Sequence, residues 1–294
     1  MRIVVFGGAG FLGSHTADAL ESAGHDVVIF DRNPSQYLGP KSKMVVGDIN
    51  DREKVEETVI DTDIVYNFSG VADIQEAVIN PLKAIETNVL GNSIILDACV
   101  KSKIERFIFA SSMYVYSDLG SIYGASKQAS EIITESYSSE FNLPFTILRY
   151  GSLYGPRASK WNGVYRLLKQ AIEERKIRFE GSGNEIREFI HVMDAAKLSV
   201  KAIEEEYKNQ YLMLTGSERM KYTEIIDMIN EILGGDLIVE ISGNDKNNHY
   251  ILTPYTFKPR VAKKIVSTEF HDLGQGLLES ISEIFDEIRG SQVD

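Results

Sequence analysis

Short apolar runs alternate with longer helical patterns over the first half of the chain. The runs are rich in β-branched and aromatic residues, as is typical of parallel strands that are buried on both faces of a sheet. Strands are predicted at Ile3–Phe6, Asp26–Phe30, Met44–Val46, Asp63–Phe68, Arg106–Ala110 and Phe145–Tyr150. Helices are predicted between them at Leu12–Ala23, Arg52–Ile60, Pro81–Ser102 and Gly124–Phe141. This order predicts an α/β fold with a doubly wound parallel sheet of the Rossmann type.

The rhythm changes after Gly151. The remaining patterns predict helices at Val164–Arg175, Asp194–Glu206 and Tyr222–Leu233, and short strands at Ile177–Phe179, Gln210–Leu214 and Leu237–Ile241. We therefore predict a dinucleotide-binding Rossmann domain over residues 1–150, to which a later segment of about 184–210 returns. Most of residues 151–294 should form a smaller mixed α/β lobe that binds substrate.

Composition and charge exclude several classes of protein. The chain has 43% hydrophobic and 25% charged residues, as an ordinary globular protein does. A formal net charge of -12 without a Lys/Arg-rich stripe argues against a nucleic-acid partner. Cys99 is the only cysteine, which excludes an intramolecular disulfide and a cysteine-built metal site. No signal peptide and no membrane span is indicated, so a cytoplasmic protein without a metal site is expected.

A glycine-rich turn follows the first predicted strand. The residues Gly7-Gly8-Ala9-Gly10-Phe11-Leu12-Gly13 satisfy the spacing of a dinucleotide fingerprint and lead into a helix. Glycines permit the tight turn and let the backbone approach a pyrophosphate, which binds at the partly positive helix N-terminus. We therefore predict a cofactor site that includes Gly7, Gly10, Phe11 and Leu12.

The ends of the second and third strands indicate which dinucleotide binds. Asp31 lies 31 − 13 = 18 positions after Gly13. This is close to the offset of about 20 residues at which a carboxylate binds the adenosine ribose hydroxyls and repels a 2′-phosphate. Arg32 is a competing signal for NADP, but the acid comes first, so we predict NAD. Asp48, with Ile49 beside it, is suited either to bind the adenine amino group or to cap the helix that starts near Asp51.

A tyrosine and a lysine share one helix face after the fifth strand. Tyr123 and Lys127 are spaced i, i+4, so their side chains are neighbours. A phenol with a pKa of about 10 is a poor base, and a nearby ammonium lowers that pKa. Ser112, at the end of the preceding strand, can hydrogen-bond the same substrate oxygen. These residues form a candidate catalytic trio; the alternative is an exposed amphipathic helix.

Together these motifs resemble the extended short-chain dehydrogenases/reductases of the nucleotide-sugar epimerase/dehydratase family, most of all the UDP-glucose 4-epimerases. The resemblance covers nearly the whole chain. It rests on the Gly7/Gly10/Gly13 turn, Asp31, Asp48-Ile49, Asn67-Phe68-Ser69-Gly70, Asn88-Val89-Leu90-Gly91, Ser111-Ser112, Tyr123/Lys127, Leu148-Arg149-Tyr150, Tyr154-Gly155-Pro156-Arg157 and Arg187-Glu188-Phe189-Ile190-His191-Val192.

The resemblance implies roles for further residues. The residues that would contact NAD, besides those of the turn and the strand ends, are Phe68, Ser69, Gly70, Asn88, Ser111, Tyr123, Lys127 and Tyr150. The substrate would contact Ser112, Tyr123, Ser152, Asn162 and Arg187. The guanidinium of Arg187 suits a diphosphate, and the alternative is a surface ion pair with Glu185 or Glu188. His191 is interpreted as a structural histidine and Asp194 as a helix N-cap.

The reaction implied by the resemblance is 4-epimerisation of a UDP-hexose such as UDP-glucose or UDP-galactose. Tyr123 would remove the proton of the sugar 4-hydroxyl while NAD accepts the C4 hydride, which returns to the other face of the 4-keto sugar. NAD would remain bound, and the enzyme would be a homodimer through Pro81–Ser102 and Gly124–Phe141. A reductase or dehydrogenase of a nucleotide-linked keto sugar is the alternative. A non-catalytic NAD-binding protein is a remote one.

The chain departs from the family around the predicted substrate site. The loop between Ser112 and Tyr123 is shorter than in most epimerases, and Ser152 replaces a usual asparagine. A second arginine for the diphosphate is not evident, and the candidates are Lys246, Arg260 and Arg157. Tyr114 stands where decarboxylases carry a glutamate, and Met113-Tyr114 replaces the acidic pair of the 4,6-dehydratases. Both of those reactions are therefore disfavoured.

Overall fold

The computed structural model describes residues 1–117, 119–243, 263–265 and 269–290. The strands are β1 Arg2–Phe6, β2 Asp26–Asp31, β3 Lys43–Val46, β4 Ile64–Asn67, β5 Arg106–Ser112, β6 Phe145–Tyr150, β7 Ser152–Tyr154, β8 Lys176–Phe179, β9 Ile186–His191, β10 Gln210–Leu214, β11 Arg219–Lys221, β12 Ile238–Ile241 and β13 Lys263–Lys264. The helices are α1 Phe11–Ser22, α2 Arg52–Val59, α3 Ile74–Ile79, α4 Pro81–Ile85, α5 Asn92–Ser102, α6 Ser121–Phe141, α7 Gly163–Glu174, α8 Val192–Lys201, α9 Tyr222–Ile232 and α10 Leu273–Gly290.

Eight strands form the main sheet in the order β13-β10-β6-β5-β4-β1-β2-β3. The described pairings in it are parallel. The chain starts in the middle of the sheet, proceeds to β3 on one side and then crosses to β4 on the other. The order therefore reverses between β1 and β4, where ligands of such folds bind beyond the carboxyl ends of the strands. The predicted doubly wound parallel sheet is confirmed.

The core of the sheet explains why these segments form strands. Every residue of β5 and β6 is buried, as are the aromatic side chains of Phe6, Phe30 and Phe107. Continuous apolar runs are required because helices cover both faces of a parallel sheet. Burial of each large apolar side chain contributes about 1.5–3 kcal/mol. The same packing fixes the carboxyl ends of β5 and β6, which carry the candidate catalytic residues.

The described residues divide into two compact units. The first contains residues 1–150, 195–214 and 263–265, and the second contains residues 151–194, 215–243 and 269–290. In the second unit, β11, β9 and β7 form a three-stranded sheet and β12 pairs with β8. Its core includes Leu168, Ile177, Ile229 and Leu277. Among the described residues, no helix is both long and apolar enough to cross a bilayer.

Several predicted elements differ from the structure. The strand Gln210–Leu214 was predicted within the smaller lobe, but it extends the main sheet beside β6. The helix predicted over Pro81–Ser102 is interrupted by a π-helical segment at Glu86–Gly91. The helix predicted at Asp194–Glu206 starts earlier, at Val192, and ends at Lys201. The helices α3 and α10 and the short strands β7, β9, β11 and β13 were not predicted from the sequence.

Candidate active site

The glycine turn after β1 is shaped for close approach by a ligand. Gly7 has a φ of 75°, and a Cβ there would lie 2.5 Å from the backbone nitrogen of Ser69. A Cβ on Gly13 would overlap the carbonyl oxygen of Gly7. Gly10 is the N-cap residue of α1, so Phe11 and Leu12 begin the helix with backbone N–H groups that have no acceptor within the helix. This uncrowded, partly positive helix start fits a dinucleotide pyrophosphate.

Asp31 lies beside this turn at the end of β2. Its carboxylate accepts hydrogen bonds from the backbone nitrogens of Ala9 at 3.2 Å and Asn33 at 3.1 Å. Arg32 is exposed. The carboxylate is thus anchored at the edge of the turn, where the ribose of a bound NAD is expected.

The Asp48-Ile49 segment follows β3. The Asp48 carboxylate accepts from the backbone and side chain of Asn50, at 2.9 and 3.0 Å. Asp51 is the residue that caps α2, through the backbone nitrogen of Lys54 at 3.2 Å. The alternative that Asp48 is the N-cap is therefore wrong, and a contact to adenine stays a prediction. Ile49 is buried and packs where Gly91 has no side chain.

Asn88 holds the loop after β4 against the helix that carries the tyrosine and the lysine. Its side-chain oxygen accepts from the nitrogen of Val71 at 2.7 Å, and its amide donates to the Val71 carbonyl at 3.0 Å and to Ser126 at 2.9 Å. Gly70 has a φ of 151°, and a Cβ there would lie 2.7 Å from Asn88 Oδ1. Asn88 lies in the π-helical segment, a feature that is frequent at functional sites. Asn88 therefore holds the backbone of Val71 in place, on one side of the predicted NAD site.

Aromatic and polar side chains at the ends of β4 and β6 lie on the same side of the predicted NAD site. The ring of Phe68 stacks on Tyr66 with centroids 5.7 Å apart and lies 6.5 Å from the ring of Tyr150. The Tyr150 hydroxyl is 2.6 Å from Ser199 Oγ, and burial raises the pKa of this phenol, so it stays neutral. Ser69 donates to Asn67 Oδ1 through its backbone nitrogen at 3.1 Å and its hydroxyl at 2.5 Å.

The structure brings the three predicted catalytic residues together. Ser112 and Tyr123 are each 8% exposed, and the Ser112 hydroxyl is near enough to the Tyr123 phenol to act on its pKa. Lys127 follows Tyr123 by one helical turn, and its Nζ donates to the carbonyl of Ala110 at 2.8 Å. This Nζ lies 3.7 Å from where a Cβ of Gly70 would be, so the ammonium reaches the predicted cofactor loop.

Burial controls the ionisation of the trio. Burial raises the pKa of Tyr123, and the nearby Ser112 hydroxyl acts in the opposite direction. Burial lowers the pKa of Lys127 to about 8, against the charge of Glu131, which raises it. At neutral pH the lysine is therefore mostly an ammonium, and the tyrosine a phenol that can donate a proton.

A buried ion pair next to the trio was not predicted from the sequence. Glu131 and Arg149 are both 0% exposed, and Arg149 Nη2 lies 2.6 Å from Glu131 Oε2. The hydroxyl of Ser111 donates to Glu131 Oε1 at 2.5 Å. The signal in the sequence was the spacing of Glu131 four residues after Lys127, which places both side chains on one helix face. A cofactor contact of Ser111 stays a prediction.

The predicted substrate residues Ser152, Asn162 and Arg187 belong to the second unit. Ser152 begins β7 and pairs with Phe189 of β9. Asn162 caps α7 through the nitrogen of Tyr165 at 3.1 Å and donates to the Leu153 carbonyl at 2.7 Å, which gives it a structural role.

Arg187 is only 3% exposed, so the alternative of a surface ion pair is wrong. Its guanidinium lies 5.6 Å from the ring centre of Tyr222, and Glu188 is 3.1 Å from Arg219. Among the candidates for a second diphosphate contact, the Arg157 backbone nitrogen donates to Glu283 at 2.9 Å. Lys246 and Arg260 lie outside the described residues.

His191 and Asp194 meet a residue near the start of α10. The prediction that Asp194 caps a helix is wrong, because α8 already begins at Val192. The Asp194 carboxylate instead accepts from the His271 backbone and contacts its Nδ1 at 2.8 Å. The ring of His191 stacks on that of His271, with centroids 4.2 Å apart. Its Nε2 lies 3.5 Å from the Glu279 carboxylate. The ring planes are 24° apart, and one potential ligand atom from each of His191, His271 and Glu279 lies within 4.8 Å of the others.

Comparisons with known proteins place these features in context. The model of the NAD dependent epimerase/dehydratase family matches residues 3–213. The chain is 28% identical to a UDP-N-acetyl-alpha-D-glucosaminuronate decarboxylase of Bacillus cytotoxicus, over 95% of this chain and 96% of that protein. It is 29% identical to a putative UDP-glucose 4-epimerase of Methanocaldococcus jannaschii, over 79% of this chain and 82% of that protein.

Solved structures show the same fold. A UDP-glucuronic acid 4-epimerase from Bacillus cereus, in complex with UDP-glucuronic acid and NAD, matches with a TM-score of 0.85 and 23% identity over 98% of this chain and 100% of that one. A UDP-glucose 4-epimerase from Thermotoga maritima, with UDP-glucose, gives a TM-score of 0.83 and 22% identity over the same shares. At these identities the likeness is one of fold.

Proposed function

Because the chain belongs to the NAD dependent epimerase/dehydratase family, we propose that it is a 4-epimerase of a nucleotide-linked hexose, most simply UDP-glucose and UDP-galactose. The observation that carries the proposal is the trio itself: Tyr123 lies one helical turn before the buried ammonium of Lys127, and the Ser112 hydroxyl lies near the phenol. Relatives and structural neighbours whose names include UDP-sugar 4-epimerases support the substrate class.

Each member of the trio has a distinct task in this proposal. Tyr123 takes the proton of the sugar 4-hydroxyl in one direction and returns it in the other, as an acid–base catalyst must. Lys127 stabilises the phenolate, and Ser112 hydrogen-bonds the same sugar oxygen. NAD, when bound, supplies reversible hydride transfer at C4. The planar donor fork of Arg187 suits phosphate oxygens, and its contact with the diphosphate stays a prediction.

Decarboxylation of a UDP-uronic acid is a second candidate, because the chain aligns over 95% of its length with a decarboxylase. The residue before Val115-Tyr116 argues against it. Tyr114 occupies that position in place of a carboxylate, and its ring meets Tyr123 edge-on with centroids 6.1 Å apart. A reductase or dehydrogenase of a keto sugar uses the same trio but exchanges its cofactor in each turnover.

Proton NMR of the sugar anomeric signals separates these candidates. The protein is purified without added cofactor and incubated separately with UDP-glucose, UDP-galactose, and their N-acetyl and uronic acid counterparts. We expect interconversion of a 4-epimer pair without added NAD. Release of carbon dioxide with formation of a UDP-linked pentose would show that the protein is a decarboxylase instead. An unchanged spectrum, with bound NAD verified by absorbance, would favour the reductase.

We also propose a cytoplasmic homodimer that assembles through α4, the π-helical segment, α5 and α6. The support is a group of exposed apolar side chains at the start of this region. Leu82 is 81% exposed, Ile85 45% and Leu90 46%. Exposed apolar patches of this kind mark interaction surfaces when they are contiguous.

A further inference from the structure

The position of the buried ion pair between Glu131 and Arg149 says more about its role than its contribution to stability does. Arg149 Nε and Nη2 donate to the two carboxylate oxygens at 2.9 and 2.6 Å, a bidentate arrangement. Both side chains are 0% exposed. A buried ion pair gains little net stability, because desolvation of the charges offsets their attraction. Its location next to the trio therefore calls for a functional explanation.

The pair connects every element that carries a member of the trio. Glu131 lies one turn after Lys127 on α6, and its carboxylate accepts from Ser111, which precedes Ser112 on β5. Arg149 is the register partner of Ser111 on β6. Its Nη1 donates to the hydroxyl of Tyr116 at 2.5 Å, in the turn that follows β5.

We propose that Glu131 and Arg149 are positioning residues, which hold Ser112 and Lys127 in place and balance the charge next to the Lys127 ammonium. Their effect on turnover rests on the proposed epimerase function, whereas their effect on the lysine does not. Neither residue is proposed to contact substrate.

Several charged and titratable groups surround the trio. These are Glu131 and Tyr123 on α6, Arg149 on β6, Tyr116 after β5, and Asp73, the N-cap residue of α3, whose charge acts on Tyr123. Burial lowers the pKa of Lys127 to about 8, and Glu131 opposes that shift. The guanidinium of Arg149 offsets part of the influence of Glu131. Removal of one partner therefore leaves the other as a single unbalanced charge.

Two variants should move the pKa of Lys127 in opposite directions. Glu131→Gln leaves the cation of Arg149 alone, so the pKa of Lys127 should fall by about one unit. Arg149→Met leaves the carboxylate alone, so that pKa should rise by about one unit. The double variant removes both charges and should return the pKa close to its original value. A residue that only stabilises the fold gives no such reversal of sign.

The pKa of Lys127 can be measured without substrate. The protein is labelled with lysine that carries ¹³C at Cε, and the labelled signals are followed by NMR as the pH is varied. The signal that is absent from Lys127→Arg identifies Lys127. Arg106→Met is the matched control, because Arg106 is also a buried arginine, 4% exposed, paired with Glu205 at 3.1 Å. It lies at the opposite end of β5 and should leave the pKa of Lys127 unchanged.

The pH dependence of kcat/KM on the epimerised sugar is the second readout. Its alkaline limb should shift to lower pH in Glu131→Gln and to higher pH in Arg149→Met. A titration midpoint of Lys127 that is unchanged in both folded variants would overturn the inference. If the native protein epimerises no sugar but the midpoints still move in opposite directions, the proposed function fails and the inference holds. If Arg149→Met does not fold, the downward shift in Glu131→Gln decides alone.

Discussion

The chemistry proposed for this protein depends on single residues whose charge states are set by burial. Tyr123 and Lys127 are both buried, and burial favours the neutral form of each: it raises the pKa of the phenol and lowers the pKa of the ammonium. The nearby Ser112 hydroxyl and the charge of Glu131 act against these shifts. The ionisation of these residues is therefore coupled, and the loss of one changes the ionisation of the others.

Replacement of Tyr123 by phenylalanine tests the trio at the phenol oxygen that is proposed to exchange the proton. Tyr123→Phe removes the proton donor but keeps the ring, so kcat should fall by about 10²–10⁴-fold. The amount of bound NAD, measured by absorbance after denaturation, should not change. Tyr137→Phe, on the same helix but outside the trio, is the control and should retain activity. Full activity in Tyr123→Phe would exclude the trio as the catalytic centre.

At the scale of elements, the glycine turn between β1 and α1 fixes the predicted cofactor site. Gly13→Ala would place a methyl group against the carbonyl oxygen of Gly7, so the helix start has to move away from the strand. We expect this variant to copurify with much less NAD than the native protein. Gly290→Ala, where a Cβ meets nothing within 4 Å, is the control. Equal NAD content in the two variants would show that the turn does not hold the cofactor.

The C-terminal helix α10 is an element that stabilises the second unit. Leu277 is 0% exposed, whereas the adjacent Leu278 is 47% exposed. Leu277→Ala should therefore lower the free energy of unfolding by about 2–5 kcal/mol. Leu278→Ala should change it by less than about 0.5 kcal/mol. Denaturant unfolding of both variants measures the difference, and equal losses would contradict the described packing of α10.

Much of the first unit was predictable because its signals are local. The apolar runs predicted all the strands from β1 to β6, and the turn, Asp31 and the Tyr123/Lys127 spacing each lie within one short segment. The Glu131–Arg149 pair was not predictable in this way, because its partners come from α6 and β6. For the same reason β10 was assigned to the wrong part of the fold, since its neighbour β6 lies far away in the sequence. By contrast, α10 has a regular apolar pattern that was overlooked.

At the scale of the whole molecule, the family and the NAD cofactor predicted from the sequence are confirmed by the family match. The homodimer stays a prediction. Leu82→Glu places a charge on a side chain that is 81% exposed in the proposed interface, so it should convert a dimer into a monomer in light scattering at micromolar concentration. Ile238→Glu changes a residue that is 61% exposed in the second unit and should leave the dimer intact. A native protein that is already monomeric would exclude the interface.

In the proposed reaction a hydride leaves C4 of the sugar and returns to the same carbon, so UDP-glucose deuterated at C4 is the decisive substrate. The protein is purified without added cofactor, and the product is analysed by NMR and mass spectrometry. A 4-epimerase with bound NAD should give UDP-galactose that retains the deuterium at C4. Product that has lost the deuterium to solvent or to added cofactor would contradict the account.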